Sequence, residues 1–402
     1  MRTQLSRRGF LKGAALFSSL GFAPQFLTRT VEAGLEGGGE PDGRILVVLQ
    51  LGGGNDGLNT LVPHGEDAYH RARPTLALPK ARVLPVNGEV GFNDRLEGLM
   101  DLYDDGQVAV IQGAGYPNPD RSHFRSMEIW QTASDADEYL GHGWIGRYFD
   151  AACAGSCPPQ VGVAVGERPQ AFEGVEGLGI AFDQPHTFGF QEGPGMATED
   201  SFAALNAPAP GRNATLDFLR HTASNAIMSA REVREAAEHG GFEPARSGNP
   251  LLTVASLIRG GLDTRVYYVS VGGFDTHAGQ AIQHDRLLEQ VGGALQAFQR
   301  QLKRDGTAER VMTLVFSEFG RRLAENGSEG TDHGAAAPMF LIGEHAVPGL
   351  HGVYPSLTDL DNGDLKYTVD FRRVYATVLE DWLEADSAQV LGQSFDTLPL
   401  IG

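Results

Sequence analysis

RILVVLQL, at residues 44–51, is followed directly by the glycine-rich stretch GGGNDGLNT, at residues 52–60. A continuous apolar run of this length predicts a strand that is buried on both faces, as strands of parallel sheets are. Similar runs predict further strands at residues 107–112, 161–165, 178–182, 265–271, 310–317 and 338–342.

Helical patterns occupy the stretches between these runs. They span residues 122–132, 144–152, 216–238, 250–259, 280–303 and 370–383. Strands that alternate with helices favour a mainly parallel sheet covered by helices on both faces. The expected fold class is therefore α/β, a three-layer αβα sandwich with long loop insertions.

Composition limits the classes of function. With 402 residues, 41% hydrophobic and 21% charged, the chain is typical of a water-soluble globular protein. Its formal net charge of -19 argues against binding to nucleic acid or to an anionic membrane surface. Cys153 and Cys157 are too few and too close for a four-cysteine zinc site, although an oxidising compartment would allow a local disulfide.

The N-terminus predicts export. SRRGFLK, at residues 6–12, matches the twin-arginine pattern, and the apolar stretch that follows is too short and too polar for a membrane-spanning helix. Small side chains at Val31 and Ala33 are typical of a cleavage site, so we expect residues 1–33 to be a signal peptide, residues 34–43 a linker and residues 44–402 a single domain. The expected partner is the twin-arginine export machinery and the expected location is periplasmic or extracellular, with no transmembrane helix after processing. An uncleaved, membrane-tethered form is the alternative.

The loop after the first strand carries Asp56. Its glycines match G-x-G-x-x-G, which by itself would indicate a dinucleotide-binding oxidoreductase. However, Pro63 arrives too soon for the helix that this motif requires, and no acidic residue ends a second strand at the right distance. We interpret the loop as a flexible turn that brings Asp56 to the edge of the sheet. The alternative is a turn in which Asp56 bonds its own backbone.

Two later strand ends also carry carboxylate or imidazole side chains. GGFDTH, at residues 272–277, and FSEFGRR, at residues 316–322, each follow an apolar run, and TDHG, at residues 331–334, follows a glycine-rich loop. Because ligands gather at the carboxyl ends of strands in α/β sheets, these groups are candidate ligands of a divalent metal ion. The candidate metal ligands are Asp56, Asp275, His277, Glu318, Asp332 and His333. Carboxylates and imidazoles without a thiolate suit zinc, manganese, magnesium or calcium.

Structural roles are the alternatives for the same residues. Asp275 could cap the following helix, and Glu318 could form an ion pair with Arg321.

A candidate nucleophile lies in RSHFR, at residues 121–125. Ser122 is predicted at a helix start, where it could attack an ester beside a metal ion, with His123 and Arg121 next to it as further candidate catalytic residues. The alternative is that Ser122 only caps the helix. The chain has neither a G-x-S-x-G elbow nor an H-E-x-x-H motif, so α/β-hydrolase and zincin interpretations lack support.

Several of these segments together resemble a known family. GGGNDGLNTLVP, RSHFRSMEIWQT, GWIGRYFD, GGFDTHAGQ, FSEFGRRLAENGSEGTDHG and VDFRRVYATVLEDWL occur in this order, as they do in the family labelled domain of unknown function 1501. The resemblance implies a fold related to the alkaline phosphatase and sulfatase superfamily, whose members hydrolyse esters around metal ions.

That superfamily also implies roles for single residues. Asp56 would be the first-strand ligand, Ser122 the nucleophile, Asp275 and His277 a ligand pair, and Glu318 and His333 later ligands. The chain departs from the superfamily where Phe319 follows Glu318 in place of a histidine. Neither cysteine lies in a C-x-P-x-R motif, so a sulfatase with a modified cysteine is not expected.

The sequence therefore predicts an exported metal-dependent hydrolase of phosphate, sulfate or related esters. Its substrate would be a small-molecule or polysaccharide ester. The alternative is a non-catalytic envelope or polysaccharide-binding protein on a hydrolase-like scaffold.

Overall fold

The run predicted as the first strand forms β1, and all seven of its residues are buried. The structure is a computed structural model, and it describes residues 43–153, 158–175, 179–190, 198–207, 214–243 and 248–402. Its strands are β1 Ile45–Leu51, β2 Leu61–Val62, β3 Val83–Pro85, β4 Gly91–Asn93, β5 Val108–Gly115, β6 Gly162–Val165, β7 Ile180–Phe182, β8 Val266–Val271, β9 Val311–Phe316, β10 Arg321–Glu325, β11 Thr331–His333, β12 Ala337–Ile342, β13 Gly349–His351, β14 Leu360–Asp361, β15 Asp364–Leu365 and β16 Val369–Asp370. Its α-helices are α1 Asp67–Ala72, α2 Glu97–Asp104, α3 His123–Thr132, α4 Trp144–Ala152, α5 Glu199–Leu205, α6 Ala214–His239, α7 Pro250–Arg259, α8 Gln280–Asp305, α9 Phe371–Thr377 and α10 Ser387–Leu391.

Among the described residues, nine strands form the main sheet, in the order β13-β5-β12-β9-β1-β8-β6-β7, with β16 beside β5. β1 lies between β8 and β9 and is parallel to both, so that Val47 is paired with Tyr267 on one side and with Thr313 on the other. β12 is antiparallel to both of its neighbours, β5 and β9, while the other pairs of the sheet are parallel. The prediction of a mainly parallel sheet is confirmed.

Alternate residues of β1 enter two separate hydrophobic cores. Val47 and Leu49 belong to the core that α2, α6, α7 and α8 cover. Leu46 and Val48 belong to the core that α3, α4, α9 and α10 cover. Since successive side chains of a strand point to opposite faces, β1 lies between two layers of helices. The predicted three-layer αβα sandwich is confirmed.

The predicted last helix, residues 370–383, differs in one detail. α9 continues as a π-helical segment, Val378–Trp382, in which each turn takes up an additional residue. Val378, Leu379 and Trp382 are buried in this segment, so the wider turn still serves the core.

The predicted signal peptide and all but the last residue of the predicted linker lie outside the described residues. Residues Arg44–Gly402 form one compact unit. Within the part of the chain that the structure describes, no helix is both long enough and apolar enough to cross a membrane. Cys153 is disulfide-bonded, and Cys157 lies outside the described residues.

The glycines after β1 let three loops meet closely. Gly53 and Gly54 have φ of +117° and +74°, a conformation that L side chains rarely adopt. A Cβ on Gly53 would lie 2.4 Å from the backbone nitrogen of Asp275, and one on Gly54 would lie 2.2 Å from the ring of Phe319. The loop after β1 therefore touches the loops after β8 and β9 only because these two positions have no side chain.

Substitution of these glycines gives the first prediction. Gly54→Ala should lower the free energy of unfolding by about 2–3 kcal/mol, because it combines a strained φ with overlap with Phe319. Gly52→Ala is the matched control, since the nearest atoms to its Cβ would be 3.8 Å away, and it should change the same quantity by less than about 1 kcal/mol. Urea unfolding followed by circular dichroism measures both. Equal effects of the two variants would contradict the close approach.

Candidate metal centre

Three loops that carry the predicted site residues leave the same edge of the sheet. β8, β1 and β9 are adjacent and parallel, so their carboxyl ends lie side by side. The loop after β8 carries Asp275 and His277, and Glu318 follows β9. The strand β11 ends in His333, and α3 begins with His123.

Asp275 lies at the centre of the cluster. Its Oδ1 is 3.0 Å from Nε2 of His277, 3.1 Å from Nε2 of His333 and 3.4 Å from Nε2 of His123. The Nε2 atoms of His277 and His333 are 2.9 Å apart. One carboxylate oxygen therefore faces three imidazole nitrogens.

Two of these imidazoles also make a hydrogen bond through their other ring nitrogen, Nδ1. Nδ1 of His333 lies 2.7 Å from the carbonyl oxygen of Arg121, and Nδ1 of His123 lies 2.9 Å from Oε1 of Glu318. A carbonyl or a carboxylate oxygen only accepts, so each Nδ1 carries the proton and donates it. In the neutral imidazole, Nε2 then has a free lone pair.

The third imidazole has a carboxylate behind it as well. Nδ1 of His277 lies 3.6 Å from Oδ1 of Asp332. Asn326 donates from Nδ2 both to Oδ1 of Asp332, at 3.1 Å, and to the carbonyl oxygen of His277, at 3.0 Å. Asp332 is therefore placed behind the ring, on the side away from Asp275.

A cation is the natural partner of this arrangement. Lone pairs on Nε2 of His123 and His333 directed at a carboxylate oxygen repel it unless a positive charge lies between them. Nε2 of His123 is also buried without a hydrogen-bond partner. The ligand atoms of His123, Asp275 and His333 all lie within 4.8 Å of one another, close enough to hold a metal ion. The donor set thus fits a divalent ion.

Neighbouring groups shift the pKa values of Asp275 and His123. Partial burial of Asp275 raises its pKa, but the hydrogen bond from Arg321 and the positive charge of its guanidinium outweigh burial and lower the pKa to about 2. The hydrogen bond to Glu318 raises the pKa of His123. Asp275 is therefore ionised at neutral pH, as a metal ligand must be.

Arg321 holds the loops around this cluster. Its guanidinium is fully buried and donates to four carbonyl oxygens and one carboxylate. These acceptors belong to Gly53, Gly54, Phe274, Thr331 and Asp275. The interpretation that Arg321 pairs with Glu318 is therefore replaced by a pair with Asp275, at 2.9 Å.

The structure brings together three of the predicted metal ligands, Asp275, His277 and His333, and adds His123, which the sequence predicted as a catalytic residue. Glu318 is fully buried, and its Oε1 accepts from His123 and from the backbone N–H of Gly53. Asp275 does not cap the next helix, because Gly279 is the N-cap of α8.

Asp56 is held elsewhere. Its carboxylate is fully buried and forms an ion pair of 2.6 Å with Arg73, which is equally buried. Within the described residues, the group that could hold an ion consists of His123, Asp275 and His333. It includes neither Asp56 nor His277, although Nε2 of His277 lies 3.0 Å from Oδ1 of Asp275. The cation beside Asp56 is thus a guanidinium.

The predicted catalytic residues lie next to the cluster. Ser122 is the exposed N-cap of α3, but its side chain makes no capping hydrogen bond, so the simple capping role is not seen. Arg121 donates from Nε and Nη2 to Oδ2 of the buried Asp364, at 3.0 and 2.7 Å. Its guanidinium is fixed by this pair, and its carbonyl oxygen holds His333.

Sequence reasoning missed the position of His123 beside Asp275, the role of Arg321 and the pairing of Asp56 with Arg73. A signal existed for His123, because it follows β5, which runs in the same direction as β9 and is separated from it in the sheet by β12. Nothing in the spacing indicated Arg73, because it lies 17 residues from Asp56, directly after the short helix α1.

Replacement of Arg321 tests its role. Arg321→Met should lower the free energy of unfolding by about 3–5 kcal/mol, because it leaves buried acceptors and Asp275 without their donor. Arg95→Met is the control, since Arg95 is 45% exposed and lies 3.7 Å from Asp94, and it should cost less than about 1 kcal/mol. Urea unfolding at neutral pH measures both. A loss for Arg321→Met as small as that for the control would contradict the assigned role.

The pH dependence of stability tests the pair of Asp56 and Arg73. Burial by itself raises the pKa of Asp56, but Arg73 outweighs burial and holds the pKa below its ordinary value of 3.8. The pair therefore stabilises the protein fully above about pH 4, and this stabilisation is lost as the pH falls towards the pKa of the folded state. Asp56→Asn should cost about 3–5 kcal/mol at neutral pH, and its difference from wild type should shrink on acidification.

Unfolding in urea at a series of pH values measures this difference. The control is Asp101→Asn, because Asp101 is 61% exposed and its ion pair with Arg300, at 3.5 Å, lies at the surface. It should differ from wild type by less than about 1 kcal/mol throughout. A difference for Asp56→Asn that does not change with pH would argue against an ionised Asp56.

Solved structures similar to this chain have low sequence identity. The C-terminal periplasmic domain of EcEptC from Escherichia coli is 11% identical with a TM-score of 0.37, over 87% of this chain and 86% of that one. The phosphonate monoester hydrolase SpPMH from Silicibacter pomeroyi is 11% identical with a TM-score of 0.36, over 88% and 77%. The sulfatase PsFucS1 from Pseudoalteromonas sp. is 10% identical with a TM-score of 0.35, over 89% and 70%.

No curated protein matches the sequence. A family model does match, and the matched region includes each residue of the cluster described above. Residues 112–391 match the family described as protein of unknown function, DUF1501, and the chain belongs to this family.

Proposed function

We propose that this protein is an exported metal-dependent hydrolase of phosphate, sulfate or related esters, acting in the periplasm or outside the cell. The observation that carries the proposal is the convergence of His123, Asp275, His277 and His333 at the carboxyl ends of parallel strands. The substrate would be a small-molecule or polysaccharide ester, and the twin-arginine machinery would export the folded chain.

The donor set narrows the choice of metal. Separations of 2.9–3.1 Å among the ligand atoms of Asp275, His277 and His333, and of 3.4 Å between those of Asp275 and His123, suit donors that each lie about 2.1 Å from one ion. Three imidazoles and one carboxylate favour zinc, or another transition ion that accepts imidazole, over calcium and magnesium, which prefer oxygen ligands. A divalent ion bound there would polarise the ester and favour the ionisation of a nucleophile.

The chain supplies the rest of the chemistry. Glu318 and the carbonyl oxygen of Arg121 keep protons on Nδ1 of His123 and His333, so Nε2 of each remains available as a ligand. Ser122 offers a hydroxyl beside His123 that is not used as a helix cap. The fixed guanidinium of Arg121, 35% exposed, would orient the anionic part of the ester.

Metal analysis tests the site. Purified mature protein should contain about one divalent ion per chain, and His123→Ala, Asp275→Ala, His277→Ala and His333→Ala should each lose most of it. His345→Ala is the matched control, because His345 lies outside the cluster, 3.3 Å from Glu309, and it should keep the wild-type content. Mass spectrometry of the bound metal measures all five variants. A wild-type protein without a stoichiometric ion would refute the site.

Turnover tests the activity. A panel of p-nitrophenyl phosphate, sulfate and phenylphosphonate should show at least one hydrolysed ester, and chelation should abolish that turnover until metal is restored. Ser122→Ala should reduce kcat by about 1,000-fold or more if the hydroxyl is the nucleophile, and by much less if water attacks.

One observation favours a second function. With His277 added to the group of His123, Asp275 and His333, the site would have four protein ligands. Four protein ligands are typical of closed, structural metal sites, whereas catalytic sites keep a position open. A protein that binds its ion but hydrolyses no ester of the panel would be the non-catalytic alternative, binding an envelope component or a polysaccharide.

A further inference from the structure

Both segments that carry metal ligands contain a buried threonine. Thr276 lies between Asp275 and His277, and Thr331 begins the strand that ends in His333. The two segments are joined by a backbone hydrogen bond of 3.2 Å from the N–H of Thr331 to the carbonyl oxygen of Thr276. Neither threonine is among the candidate metal ligands named above.

A single amide receives both threonine hydroxyls. Oγ1 of Thr276 donates to Oε1 of Gln280 at 3.0 Å, and Oγ1 of Thr331 donates to the same oxygen at 2.6 Å. Gln280 is fully buried at the start of α8. The separation of the two ligand segments therefore depends on where this oxygen is held.

Asp56 decides the orientation of that amide. Nε2 of Gln280 lies 2.5 Å from Oδ2 of Asp56. Because a carboxylate only accepts hydrogen bonds, the NH₂ group of Gln280 must face Asp56, and its oxygen must then face the threonines. In a rotated amide, the oxygen of Gln280 would face the carboxylate of Asp56, and neither group could donate a hydrogen bond.

Arg73 fixes Asp56 in turn. Besides its ion pair with Asp56, Arg73 donates to the carbonyl oxygens of Leu323, from Nε at 2.8 Å, and of Arg322, from Nη2 at 2.8 Å. Both acceptors belong to β10, the strand that pairs with β11. The carboxylate is thus anchored to the same hairpin that carries His333.

From these contacts we propose that Asp56 is a positioning residue of the metal centre, acting through Gln280 on the Asp275–His277 and Thr331–His333 segments. It sets the affinity for the ion without binding it. The inference rests on the proposed metal centre but not on ester hydrolysis. Loss of such partners behind metal ligands typically weakens binding by about 10–100-fold.

The test is a Zn²⁺ titration against a chromophoric chelator. Gln280→Met removes the hydrogen bonds, preserves the approximate volume and leaves the ion pair of Asp56 and Arg73 intact. We expect it to raise the Kd for Zn²⁺ by about 10–100-fold, and Asp56→Asn to do the same. If Asp56→Asn fails to fold, Gln280→Met still decides the question.

Leu288→Ala is the matched control for stability. Leu288 lies on the same helix and is buried in the core, so the substitution should destabilise the protein by about 2–5 kcal/mol. Its Kd for Zn²⁺ should stay within about 2-fold of wild type. A similar loss of affinity in this control would mean that lower stability alone, and not the position of Gln280, weakens the site.

A double-mutant cycle tests whether Gln280 acts on the metal centre through Thr276 and Thr331. The pair Thr276→Val and Thr331→Val should weaken Zn²⁺ binding in wild type but add little in Gln280→Met, because the hydroxyls then have no common acceptor to lose. Additive effects, or a Gln280→Met protein that binds Zn²⁺ like wild type, would overturn the inference while leaving the proposed function intact. A wild-type chain that binds no Zn²⁺ would overturn both.

Discussion

The guanidinium of Arg321 is completely buried, and the candidate site is built around its hydrogen bonds. A buried cation is stable only if its N–H groups are satisfied and its charge is balanced. Carbonyl oxygens from the loops after β1 and β8 and from β11 satisfy the N–H groups, and Asp275 balances the charge. If these three segments separated, N–H groups of the buried Arg321 guanidinium would lose their acceptors. One side chain thereby fixes the relative positions of the segments around the cluster of Asp275, His277 and His333.

This arrangement gives Asp275 two roles that support each other. It is the counterion of Arg321 and also the carboxylate that faces three imidazoles. Because four of the acceptors of Arg321 are carbonyl oxygens, the guanidinium stays bonded when Asp275 shares its charge with another cation. The carboxylate is therefore already held in one orientation, which would lower the cost of ordering the site for a bound ion.

Local patterns determined most of what the sequence could predict. Apolar runs located β1, β5, β8 and β9, and the alternation with helices predicted the layers, because both signals lie within short windows. The Asp/His pairs at residues 275–277 and 332–333 were recognisable for the same reason. The direction of β12 and the partners of Arg321 depend on contacts between distant parts of the chain, which periodicity does not encode. His123 was not among the predicted ligands, because its approach to Asp275 requires the helix α3 to begin beside β9.

Asp56 shows why a strand-end carboxylate is an ambiguous signal. A buried carboxylate needs a cation or several donors, and a metal ion and a guanidinium meet this need equally well. Exposure to solvent distinguishes a carboxylate paired with a guanidinium from one that could bind a metal ion. Asp56 and Arg73 are both fully buried, whereas Asp275 is 47% exposed and His277 is 44% exposed. An ion that exchanges with solvent requires a route to its ligands, so the half-exposed carboxylate is suited to bind metal. The sealed carboxylate is suited to a fixed internal charge, and through Gln280 that charge can still orient the ligands at the surface.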